Sequence, residues 1–124
     1  MNIIHTDDAP KAVGPYSQAI EAGNTLFLSG QIAIDPKAGD IVAKDIAGQT
    51  EQCCKNIEAV LKEAGAEFTN VVKTTCFLAD INDFAAFNEV YGKYFSHKPA
   101  RSCVAVKDLP KGALCEIEVV AIKD

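Results

Sequence analysis

The chain has 124 residues, 48% of them apolar and 23% charged, with seventeen acidic side chains against twelve basic ones and a net charge of −5. That is one domain's length, so residues 1–124 are read as a single domain, expected to bury about two-thirds of its unfolded surface and to leave about 6,400 Å² exposed. The composition excludes disordered and low-complexity chains, and no uncharged apolar run approaches the length of a membrane span.

In chain order, Asn2–Thr6 reads as a short strand, followed by the punctuation Pro10-Lys11-Ala12-Val13-Gly14-Pro15. Ser17–Ala22 and Thr25–Ser29 are strand-like runs parted by Gly23-Asn24, a hairpin turn signal, and Gln31–Ile34 extends the second run past Gly30. The run Asp35-Pro36-Lys37-Ala38-Gly39-Asp40 is a turn. Between Asp45 and Ala64, Ile46, Cys53, Ile57, Val60, Leu61 and Ala64 recur at three- and four-residue spacings, which predicts a helix with Gly65 at its C-terminal cap. Asn70–Ala79 is β-branched and strand-like. A second helix opens at Asn82 or Asp83, and its stripe Phe84, Phe87, Val90, Tyr91, Tyr94, Phe95 reads as core packing. Pro99 ends that region, Arg101–Val106 is a strand, Asp108–Gly112 a turn, and Ala113–Lys123 a last long strand. Two helices and about six strands suggest an α+β sandwich, with both helices on one sheet face.

The last strand alternates. Cys115, Ile117, Val119 and Ala121 point toward the helices; Leu114, Glu116, Glu118, Val120 and Ile122 point the other way. A second face so rich in aliphatics is not expected to stay in water, and no further helix is available to cover it. Another subunit is therefore expected there, with sites near the interface.

The acidic opening lacks the basic and apolar regions of a secretory signal, so a cytoplasmic location is expected. The five cysteines are odd in number and form no CxxC; they read as reduced thiols. His5 and His97 lie far apart without ligand spacing, so no metal site is expected. The bases Lys93, Lys98, Arg101, Lys107 and Lys111 are scattered among acids, which disfavours nucleic-acid binding. Arg101 is the single arginine, the side chain suited to bidentate carboxylate recognition; a solvated or ion-paired strand end is the competing reading. Glu116 and Glu118 lie on the apolar outer face, where burial would raise a carboxyl pKa toward general-base work, unless lysines pair with them. Cys103 shares Arg101's face and has no histidine beside it, so a small buried residue is the default over a nucleophile. Tyr16, after Gly14-Pro15, is either a lid group or a packing residue.

Five segments taken together resemble the Rid (YjgF) family, specifically its reactive intermediate/imine deaminase A subgroup: Gly14-Pro15-Tyr16-Ser17-Gln18-Ala19, Leu28-Ser29-Gly30-Gln31, Val72-Lys73-Thr74-Thr75 with Leu78-Ala79-Asp80-Ile81-Asn82-Asp83-Phe84, Pro99-Ala100-Arg101-Ser102-Cys103-Val104 and Glu116-Ile117-Glu118-Val119. The resemblance spans essentially the whole chain in order. It implies a chorismate-mutase-like fold assembled as a homotrimer around a barrel core, with clefts between subunits. It implies hydrolysis of 2-imino acids, or their enamine tautomers, to 2-oxo acids and ammonia, on substrates released by pyridoxal-phosphate enzymes, with no cofactor and no metal.

Carried over by residue, Arg101 resembles the carboxylate clamp and Glu116 the residue that activates the attacking water. Tyr16, Ser29, Gly30, Asn88 and Cys103 resemble cleft-lining positions. The stretch Phe95–Pro99 is shorter than the family pattern that the chain resembles, which bears on substrate preference more than on catalysis. The competing functions are a single-strand endoribonuclease or translation inhibitor, a non-catalytic binder of 2-oxo acids, and a chaperone-like protein.

Overall fold

The fold is described from a computed structural model of residues 1–124, which leaves 6717 Å² exposed. The chain forms β1 (Asn2–Ile4), β2 (Ala19–Ala22), β3 (Thr25–Gln31), β4 (Ile34–Asp35), β5 (Asp40–Ile41), α1 (Ile46–Glu63), β6 (Val71–Leu78), α2 (Phe84–Tyr94), β7 (Ala100–Ala105) and β8 (Cys115–Ile122). Six strands make one sheet in the order β1-β2-β3-β8-β6-β7; β4 and β5 form a separate hairpin over the Asp35–Asp40 turn. All pairings in the large sheet are antiparallel except β6 with β7, which are parallel and joined through α2. The result is a mixed sheet with two helices on one face, an α+β fold.

Local chemistry places the elements. The Asp45 side chain accepts the Gly48 N–H and caps α1. At the other end, Gly65 takes φ +76°, its N–H bonds the Lys62 carbonyl and the Ala66 N–H bonds Leu61, a paired C-terminal cap that relies on a left-handed residue. The first strand stops at Ile4 rather than Thr6 because the Gln18 side chain takes over there. Its Oε1 accepts the Thr6 N–H at 2.7 Å, and its Nε2 donates to the Thr6 and Pro10 carbonyls. The second strand accordingly begins at Ala19, not Ser17.

The core lies between the helices and one sheet face. Cys53, Ile57, Val60 and Leu61 of α1 and Phe87 of α2 pack on Leu26, Val71, Cys76, Leu78, Ile117 and Val119, all buried. Every second residue of β8 (Cys115, Ile117, Val119, Ala121) is buried on this side, as the alternation predicts. The opposite face is uncovered. There Ile3, Ile20, Phe27 and Val120 form one cross-strand row, with Ile3 67% and Phe27 50% exposed. Further along, Glu116 pairs Phe77, and Phe77 pairs Val104. No helix of the structure is long and apolar enough to cross a membrane.

Candidate active site

Arg101 is the second residue of β7, which follows Lys98, a left-handed residue (φ +57°), and Pro99. It pairs in register with buried Thr74 and faces the helices. Three residues of α2 receive it. Phe84, Asn88 and Tyr91 fall at spacings of four and three, hence on one helix stripe. Nη1 of Arg101 donates to Asn88 Oδ1 at 2.6 Å, and the guanidinium carbon stands 4.9 Å from the Tyr91 ring centre and 5.5 Å from that of Phe84. The Tyr91 and Thr74 hydroxyls hydrogen-bond each other at 2.7 Å, which fixes the ring beneath the cation. The three ion pairs in the chain join His5 to Asp7, Lys111 to Asp40 and Lys123 to Glu21, so the guanidinium is oriented but carries no carboxylate. Asn88 therefore acts within the chain on Arg101. Cys103, two residues on, lies on the same face and is half-buried; burial raises its thiol pKa, with Arg101 opposing.

Ser29, Gly30 and Glu116 gather elsewhere. The register of β3 on β8 runs Leu28 to Val119 and then Gln31 to Ile117, a bulge that falls on Ser29-Gly30. Ser29 Oγ donates to the Ser17 carbonyl at 2.6 Å and its N–H bonds the Gln18 carbonyl, which ties the bulge to the segment that follows Tyr16. A methyl group on Gly30 would stand 2.9 Å from Glu116 Cδ, so glycine is what lets that carboxylate lie along the backbone. Glu116 enters no ion pair; burial, and secondarily the Glu118 charge, raise its pKa. Glu118, two residues further, is exposed. Tyr16 is half-exposed on its loop, just beyond Gly14 (φ +127°).

The sequence-derived residues thus form two groups. Arg101, Asn88 and Cys103 face the helices at the β7 edge; Ser29, Gly30 and Glu116 lie on the uncovered side. The sheet itself, with β6 between β7 and β8, separates Arg101 from Glu116. The chain's concavities hold neither. One of about 750 Å³ borders Tyr16, Lys11, Lys37 and Lys111, and one of about 830 Å³ runs along α1 beside Lys55 and Lys62. The sequence pattern assigns Tyr91 and Phe84 to the core alone. The signal that could have found them is their spacing from Asn88 on one helix face.

The chain thus combines a mixed sheet with two helices on one face, an α+β fold, with an arginine that has no anionic partner. The family model described as Endoribonuclease L-PSP matches residues 6–123. The human 2-iminobutanoate/2-iminopropanoate deaminase is 52% identical over 122 residues, covering 98% of this chain and 89% of that one. Among solved structures, a Rid-family protein from Yersinia pestis superposes with a TM-score of 0.95 at 51% identity and 98% coverage of each chain. TdcF of E. coli, solved with bound serine, gives 0.95 at 41% identity and full coverage of both. The chain belongs to this endoribonuclease L-PSP family, the Rid (YjgF) family.

Proposed function

We propose that the protein is a 2-imino acid deaminase that hydrolyses 2-iminobutanoate and 2-iminopropanoate, or their enamine tautomers, to 2-oxo acids and ammonia. The observation that carries this reading is the single arginine, oriented by Asn88 and Tyr91 and left without an anionic partner. A planar fork held in this way suits one bidentate carboxylate. The human relative carries this activity as its name, and a relative of the same fold was solved with serine, a small molecule bearing the same carboxylate.

The proposed chemistry uses both halves. Arg101 holds the substrate carboxylate. Glu116 takes a proton from water as the water oxygen bonds to the imine carbon and returns it to nitrogen; the C–N bond then breaks, ammonia leaves, and the hydroxyl proton passes back to Glu116 as the carbonyl of the 2-oxo acid forms. A carboxyl whose pKa is raised by burial serves these proton transfers near neutral pH better than an ordinary one. The protonated imine is already electrophilic, so orientation supplies much of the rest. Cys103, with its thiol pKa raised, lines the cleft rather than attacking.

Because one chain separates Arg101 from Glu116, we propose a homotrimer in which Arg101, Asn88 and Cys103 of one subunit meet Glu116, Gly30, Ser29 and Tyr16 of the next. The uncovered row of Ile3, Ile20, Phe27 and Val120 supports burial against other copies. The family description favours a second reading, an endoribonuclease; the net charge of −5 counts against it.

The test is an assay coupled to threonine dehydratase, with semicarbazide competing for the free imine. Faster 2-oxobutanoate release and a smaller semicarbazone yield are expected. An unchanged partition, together with cleavage of single-stranded RNA by the same preparation, would replace the deaminase by the nuclease. Light scattering that gives the mass of one chain at micromolar concentration would overturn the shared cleft.

A further inference from the structure

The core holds a pair of sulfurs that the proposed deamination does not use. Cys53 lies on the face of α1 that packs on the sheet and Cys115 is the first residue of β8; both are fully buried. Their Sγ atoms are 3.8 Å apart, and the Cys53 Sγ is also 3.9 Å from the Cys115 carbonyl oxygen. Thr50, one turn earlier on α1, brings its hydroxyl to 3.8 Å from the Cys115 sulfur. Among the five cysteines no other two thiols hydrogen-bond each other.

A disulfide needs its sulfurs at about 2.05 Å. The pair stands less than about 2 Å beyond that, on two elements already in direct packing, so bond formation asks for side-chain rotation and a small approach of helix and strand. The pair is also polarised. The contact between the two sulfurs lowers the Cys115 thiol pKa, with Thr50 adding to the effect, and raises that of Cys53. Of the two thiols, Cys115 is the more readily deprotonated. Full burial selects the oxidant by size: a bulky disulfide has no approach, whereas a small neutral hydroperoxide enters with local opening of α1.

We propose that Cys53 and Cys115 are a dithiol oxidation site, closed by a small hydroperoxide into a disulfide that ties α1 to β8. Cys115 loses its proton to solvent and its sulfur attacks one peroxide oxygen. The O–O bond breaks, leaving a sulfenic acid and a hydroxide that takes up the released proton. The Cys53 sulfur then displaces the sulfenic hydroxyl. The S–S bond forms, the S–O bond breaks, and the hydroxyl leaves as water with the Cys53 proton. Both sulfurs are oxidised and the peroxide is reduced to water.

The test is a peptide map of the folded protein after exposure to hydrogen peroxide, with remaining thiols blocked by N-ethylmaleimide during acid denaturation. A peptide bearing Cys53 joined to one bearing Cys115 is expected, the linked pair lighter by two hydrogens than the two free peptides together. Since Cys54 shares the peptide of Cys53, the Cys54→Ala variant must keep the link, and Cys103→Ser must keep it as well. Cys53→Ala and Cys115→Val, which leave the sites apolar, must lose it; if either fails to fold, the Cys54→Ala map decides alone. Recovery of Cys53 and Cys115 as separate maleimide adducts while Cys103 is oxidised, or a link between any other two cysteines, would overturn the proposal. Neither outcome depends on whether the protein is a deaminase.

Discussion

The two faces of the six-stranded sheet solve opposite problems. On the helix side the core is closed, and the one cation at its edge, Arg101, is gripped by an amide and two aromatic rings. On the other side, the face that exposes Phe27 and Ile3, a carboxylate, Glu116, rests on a glycine bulge with no charge to offset it. The first face orients its charged group by packing. The second leaves apolar surface and a partly buried acid uncovered. Such a division is expected where the missing wall is supplied by another copy of the molecule.

The contrast between the two faces depends most heavily on Glu116. Glu116→Gln keeps the shape and removes the base, so imine hydrolysis should fall by about 10²–10⁴ while Glu118→Gln, on an exposed carboxylate, changes little. Steady-state assays on both variants, with 2-oxo acid binding measured alongside, decide it; equal losses would make the glutamate structural. The pH dependence has a definite sign. A carboxyl pKa raised in the folded state gives stability that is present below its unfolded value and lost as pH rises through the folded one. Glu116→Gln should therefore melt higher than the parent at neutral pH, with the gap closing as pH falls below the ordinary glutamate range, and parent activity should decline as pH drops through the raised pKa.

Arg101→Lys tests the other face. A lysine keeps the charge but not the fork, and loss of a charge-assisted clamp costs on the order of 2–5 kcal/mol, a fall of roughly thirty- to several-thousand-fold in turnover. Near-normal kinetics would remove the clamp. Tyr91→Phe keeps the ring under the guanidinium but strips the hydroxyl partner from buried Thr74; a stability loss of about 1–3 kcal/mol is expected in denaturant titration, with a smaller effect on KM. The smallest effect belongs to Cys103→Ser. A thiol whose pKa is raised and which has no activating base should be replaceable with most turnover retained, and a folded but inactive serine variant would restore the nucleophile.

Much of this division was legible in the residues. The spacing of Ile57, Val60 and Leu61, with Asp45 before and Gly65 after, carried α1, because capping and periodicity are local. The alternation of β8 assigned its inward set and left Glu116 outward, because parity along a strand is local too. What was not legible is non-local. The β4–β5 hairpin read as a bare turn, since two-residue strands leave no pattern. The run predicted to continue past Gly30 ends at Gln31, after a bulge that only its pairing with β8 reveals. That Arg101 and Glu116 look away from each other follows from the parallel register of β7 on β6, which no single strand encodes. The aromatic stripe of α2 was read as core. Phe87 is core, but Phe84 and Tyr91 also hold the cation, and a stripe alone does not say what its edge touches.

The placement of Arg101 and Glu116 on opposite faces has a genetic consequence. In the proposed ring of three, each cleft draws its cation from one subunit and its carboxylate from the next. Mix chains that lack only the arginine with chains that lack only the glutamate. Every mixed ring then contains one junction where an intact cation meets an intact carboxylate, and one junction where both are missing. Two preparations that are each inert would together recover about a quarter of the parental turnover after random reassembly in equal amounts. Two defective alleles of this protein would complement each other in one cell, although each fails alone.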